Sequence, residues 1–178
     1  MWFAVTVFLC LALLPMTVGM IVGMNRNLPR RKMLNFSILS SVTMFVFAML
    51  GILLAFVISL IADISYMYWI LTAFAAALII YKAFRWKQYA IIFYTDSKMN
   101  LLLSTVTFGL DVMLASMGCY MLGREAIIAA LCFLAFAVAF GVSGLFLGLK
   151  SNSPNAISIP LFSSGIIMMV LTIIHHFL

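Results

Sequence analysis

Asp111 is the residue with the most chemistry to offer. It stands about midway along the apolar run Met99 to Met121, roughly 18 Å from Met99 at 1.5 Å per helical residue. A charged Asp at that depth in a bilayer costs about 2.5–3.5 kcal/mol on insertion scales. A carboxylate tolerated there faces the interior of a helix bundle and marks an ion or proton path, or it sits neutral and bonded to a neighbouring helix. The other acids, Asp63, Asp96 and Glu125, all fall between apolar runs. One carboxylate is a sparse metal site, because hard divalent cations take about six oxygen ligands. Thr107, at i−4, shares the face of Asp111. Ser104 lies a further turn back on that side, and Ser116, at i+5, points roughly 140° away.

The remaining reactive side chains carry weaker signals. Cys10, Cys119 and Cys132 are scattered in apolar runs without a CxxC motif, and read as small buried hydrophobes. His175 and His176 close the last run, where a water-exposed interfacial pair is the plain reading. Met16, Met20 and Met24 recur at i+4; a soft metal could use such a stripe, but packing or lipid contact accounts for it. Gly19 and Gly23 form one GxxxG spacing and Gly144 and Gly148 another, the pattern of close helix packing in lipid. No glycine-rich phosphate loop, nucleophile triad or dense His/Cys cluster is present. The sequence therefore predicts no enzyme and no bound cofactor.

These residues are carried by elements that composition makes plain. Of 178 residues, 67% are hydrophobic and 8% charged, against about 45–50% and about 25% in soluble domains. A soluble or disordered chain is excluded, and the expectation is an all-α polytopic membrane protein. Six apolar runs, about 2–24, 33–60, 64–84, 99–121, 126–149 and 157–177, are each near the 20 or so residues that span a bilayer. Together they make 1–178 a single transmembrane domain. The N-terminal residues, apolar and without a basic n-region, read as the start of the first span rather than a cleaved signal.

The net charge of +6 reflects orientation and points to no nucleic acid. Counting Lys and Arg, the first, third and fifth loops carry nine, with Lys82, Arg85, Lys87 and Lys98 placed in the third, and the other two carry one. The odd loops are then cytoplasmic and both termini outside. The basic first loop, with Arg26, Arg30, Arg31 and Lys32, sets this orientation and touches anionic headgroups.

Three spans on each side of the third loop predict two inverted three-helix repeats, about 1–86 and 98–178. An offset of 94 residues sets Met16-Thr17-Val18 on Leu110-Asp111-Val112 and Ile79-Ile80-Tyr81-Lys82 on Ile173-Ile174-His175-His176. An offset of 93 sets Phe47 and Gly51 on Phe140 and Gly144. Thr17 is thus the repeat counterpart of Asp111, and could approach it across a pseudo-two-fold axis.

The run LLLSTVTFGLDVMLASMGCYML resembles the ATSIDALAVG helix of the manganese efflux pump family (MntP-like), in the wider LysE-type exporter superfamily. SSGIIMMVLTIIHHFL is similar to that family's last helix, and WILTAFAAALIIYKAFR to its third. Thr17 stands where the family carries an Asp, and Lys82 where it carries an acid near the end of the third helix. Ser40 to Met44 replace a stretch of the second helix that carries Glu or Gln. The resemblance implies a small exporter of manganese or another divalent cation in a prokaryotic cytoplasmic membrane, and a single Asp that can trade a proton for a cation makes the proton the expected coupling ion. The resemblance also implies Asp111 as the ion site and metal ligand, which Thr107 would assist from the same helix face and Thr17 from the matching position of the other repeat. The lost acids leave a second reading, a transport-inactive, transporter-derived subunit of a larger membrane complex. The partners such a bundle admits are the lipid bilayer and a second copy or other membrane subunits.

Overall fold

The structure is a computed structural model that describes residues 2–25, 28–61, 65–86, 98–151 and 154–177. Of residues 65, 98–104 and 154 it gives the backbone alone. Every regular element among the described residues is helical: α1 (Trp2–Leu11), α2 (Leu13–Met24), α3 (Arg30–Ile61), α4 (Tyr68–Phe84), α5 (Lys98–Leu122), α6 (Ala126–Lys150) and α7 (Ser158–Phe177). Short 3₁₀ turns precede α4 (Ser65–Met67) and α7 (Pro154–Ile157). Among the described residues, five helical segments are long and apolar enough to cross a membrane, with α1 and α2 counted together. The sixth, α4, has 17 residues, about 25 Å, which its 3₁₀ turn lengthens by about 6 Å. Asp63 and residues 87–97, which hold Asp96 and most of the third loop read as the linker ending near Tyr94 to Lys98, lie outside the described residues, and Lys98 opens α5.

The first span differs from the single helix expected for 2–24. It breaks at Ala12 into α1 and α2. Pro15 explains the break: it has no N–H to give the Leu11 carbonyl, and its ring crowds that carbonyl. Ser164 of α7 donates its hydroxyl to the neighbouring Cys10 carbonyl at 2.8 Å. An irregular stretch survives at membrane depth only where protein surrounds it, and here Val7, Leu11, Ala12 and Leu14 are all fully buried.

At the closest helix contacts small side chains face inward, and many large ones face outward. The buried stripe of α6 is mostly small, Ala126, Ala129, Ala130, Ala137, Gly141, Gly144 and Gly148 with Phe133 and Leu145, while Ile128, Leu131 and Phe146 point away from the protein. This inversion is what lipid dictates. Leu and Ile lose nothing against acyl chains, so helix association rests on close backbone approach. Accordingly α2 lies along α6, α3 along both α5 and α6, and α4 against α5 and α7. Cys132, expected inside, is exposed on α6, whereas Cys10 and Cys119 are buried.

The two GxxxG spacings meet each other. A Cβ on Gly144 would strike the Met16 carbonyl, and one on Gly148 the Met20 carbonyl. Gly19 and Gly23 face the Gly141 and Leu145 carbonyls in the same way. These obstacles are backbone, so the helices themselves would have to part. Replacing Gly144 or Gly148 by Ala should cost about 1–3 kcal/mol, read as a lowered unfolding midpoint in detergent. Gly123→Ala, where the new methyl meets nothing within 4 Å, should leave the midpoint in place. An unchanged midpoint for Gly144→Ala would refute the packing account.

Candidate ion site in the seam between α4 and α5

Asp111 is 1% exposed. It sits on the face of α5 that also carries the buried Phe108 and Ala115, because residues three and four apart stack on one side of a helix. Across the seam, Lys82 stands in the last turn of α4. Its ammonium donates to Asp111 Oδ2 at 2.5 Å and to the Thr107 carbonyl at 2.8 Å. The face of the Phe108 ring lies 5.5 Å from Nζ, adding a cation–π contact. One cation thus spans a full turn of α5, holding the carbonyl at i and the carboxylate at i+4.

The sequence reading treats Lys82 as a loop charge, and the structure corrects this. Lys82 is a buried helical residue paired with Asp111. The signal was available, since the apolar run 64–84 already encloses it. An ionisable residue inside such a run is a functional candidate by default. The cationic excess of the odd loops survives without it, through Arg30, Arg31, Lys32, Arg85 and Lys150.

The expected helpers are placed differently. Thr107 joins the site through its backbone oxygen. Thr17 is fully buried on α2, where its hydroxyl donates to the Leu13 carbonyl at 3.0 Å. Its helix packs chiefly on α6, while α5 packs chiefly on α3 and α4. Ser116 donates to Met113 O at 2.8 Å, within α5. The side chain of Ser104 lies outside the described ones. Among the described residues, no group of three His, Cys, Asp or Glu side chains converges as a metal cage.

A cavity of about 420 Å³ opens at the end of α5 away from the ion pair, lined by Phe3, Cys119, Gly123, Arg124, Glu125 and His175. Cys119 on its wall is two helical turns, roughly 12 Å, from Asp111. His175 and His176 do lie at an exposed helix end, but they are packed on rings. His175 rests on Phe3 with centroids 4.5 Å apart and meets the Tyr68 hydroxyl at 3.3 Å, and His176 stacks on Trp69 at 4.8 Å.

The pair is neutral in sum, which is what permits both charges inside a bilayer. Either charge alone would bear the full cost of its burial. Comparison with known protein families, curated proteins and solved structures finds no match for the chain.

Lys82→Met and Asp111→Leu should each destabilise the bundle by about 3–5 kcal/mol, and the double variant should recover most of that loss. Unfolding midpoints of the four proteins in one detergent test this. Additive losses would mean that the two residues are not energetically coupled.

Proposed function

We propose that the chain is a small integral membrane transporter that exports a divalent cation such as manganese in exchange for protons. Asp111 is the cation-accepting carboxylate, and Lys82 is its resident counter-ion. The single observation that carries this reading is the Lys82–Asp111 pair, sealed in a seam between helices. A buried ion pair contributes little net stability beside well-packed apolar residues of the same volume. Its presence in a bundle whose other buried polar groups, among the described residues, are hydroxyls therefore calls for a use, and intramembrane ionisable groups mark ion and proton paths.

In this scheme an arriving cation takes the Asp111 carboxylate, and the displaced Lys82 ammonium releases one proton to water. When the cation leaves, Lys82 regains a proton and re-forms the pair. One proton thus moves for each cation. For a divalent cation the occupied site gains a single positive charge, which a low-dielectric seam tolerates better than two.

The packing supports two inverted repeats, about 1–86 and 98–178. Exchanging the halves turns the contact of α2 with α6 into that of α5 with α3, and leaves α4 against α7 and α3 against α6. It also turns the contact of α4 with α5 into that of α7 with α1 and α2, which are in contact as well. Rocking of one repeat against the other would expose the seam to alternate sides. The charge bias of the loops supports cytoplasmic odd loops, and the resemblance to the manganese efflux pumps points to a prokaryotic inner membrane.

One observation favours the second reading, a transport-inactive subunit of a membrane complex. The buried hydroxyls of Thr17, Ser41, Thr72, Ser164 and Thr172 all donate to backbone carbonyls. They serve packing, and none of these bonds is made to the ion pair.

Cells lacking their own manganese exporter, loaded with manganese, separate the two. The wild type should lower cellular manganese, and the Lys82→Met/Asp111→Leu double variant, present in the membrane at equal amount, should not. Equal manganese in cells with wild type, with the variant and with no protein would refute the exporter. Stable co-purification with other chains, unaffected by Asp111→Asn, is the outcome the subunit reading requires.

A further inference from the structure

At the basic end of the bundle, a groove of about 450 Å³ runs between the first turns of α3 and the last turns of α6. Arg30 and Arg31 contribute from α3 and Lys150 from α6, over apolar walls that include Leu34, Phe146 and Leu149. No acidic side chain is among the lining residues. We propose that this groove is a binding site for one anionic phospholipid, with its phosphate held by Arg30, Arg31 and Lys150 and an acyl chain lying along the apolar walls.

Three features lead to that ligand. First, the cations converge from two helices that are far apart in sequence. Setting the orientation of a span requires positive charge near its end, but not a shared groove. Second, Arg30 and Arg31 occupy the first turn of α3, where the helix already presents its positive end and its unpaired N–H groups. Two guanidiniums there repel that end, and an anion between them offsets both. Third, the walls are apolar. Leu34 is 39% exposed and Phe146 57% exposed. A free phosphate gains nothing from them, whereas an acyl chain covers them. Guanidinium also matches phosphate oxygens in a bidentate fork.

The position gives the lipid a structural consequence. It would bridge α3, which belongs to the first half of the chain, to α6 in the second, beyond the level at which Ser41 donates to the Ala137 carbonyl at 2.9 Å. A bound lipid should therefore resist separation of the two halves.

The test uses purified full-length protein in a mild detergent. Binding and unfolding midpoint are followed with added phosphatidylglycerol, phosphatidylcholine or inorganic phosphate. Phosphatidylglycerol alone should bind and raise the midpoint. The Arg30→Gln/Arg31→Gln/Lys150→Gln variant should bind it roughly a hundredfold more weakly, at about fivefold per cation near a charged headgroup. Leu34→Trp narrows the groove and keeps all three charges, and it should weaken phosphatidylglycerol binding too. Should the triple variant fail to fold, Leu34→Trp decides. Equal binding of phosphatidylcholine, equal protection by phosphate, or wild-type affinity in either variant would overturn the proposal.

Discussion

Between two helices in lipid there is no hydrophobic gain, because the acyl chains they leave are as apolar as the side chains they meet. What remains is close contact of backbones, and the whole bundle depends on it. Gly144 and Gly148 lie against the carbonyls of Met16 and Met20, and Gly51 lies against that of Met113. Many long aliphatic and aromatic side chains are consequently turned outward, while Phe8, Phe108 and Phe133 fill the interior where the backbones stand further apart. The same rule explains the hydroxyls. Ser41 to Ala137 and Ser164 to Cys10 are bonds from one helix to the backbone of another, and in a medium without water such bonds have no solvent competitor.

Close packing also sets the terms for the ion pair. A seam this narrow excludes water, so Lys82 and Asp111 must neutralise each other. The Thr107 carbonyl and the Phe108 ring add the only kinds of partner that an apolar helix face can offer a cation: a backbone oxygen and a π-face. Helix α4 supplies Lys82 from its last turn, where a long side chain can reach back along the helix while its backbone stays near the membrane boundary. Such an interaction is nearly neutral for stability as a pair, yet costly to break from one side.

Much of the architecture was legible from residue types. The six apolar runs map onto the helices within a few residues, because unpaired peptide groups are not tolerated in lipid and a long apolar run has no other solution. The GxxxG spacings of Gly19, Gly23, Gly144 and Gly148 identified a helix contact, although which helices meet was not readable from spacing alone. Asp111 stood out because a carboxylate in mid-span is rare. Lys82 was assigned to a loop because a count of charges by region has no depth, and a lysine two residues from the end of a run looks like a boundary marker. Thr17, matched to Asp111 by offset, faces a different neighbour, since a repeat relates positions without bringing them together.

The sequence alone determined the class of protein, the number of apolar segments and the identity of its one mid-span acid. Composition and run length obey the solvent, and the solvent acts on each segment independently. Tertiary structure decided the partners: that Asp111 meets Lys82 rather than Thr17, that the glycines of α2 meet those of α6, and that Arg30, Arg31 and Lys150 share a groove. Contacts between helices depend on which small residues let which backbones approach, and that selection is made only when all the helices compete for the same space.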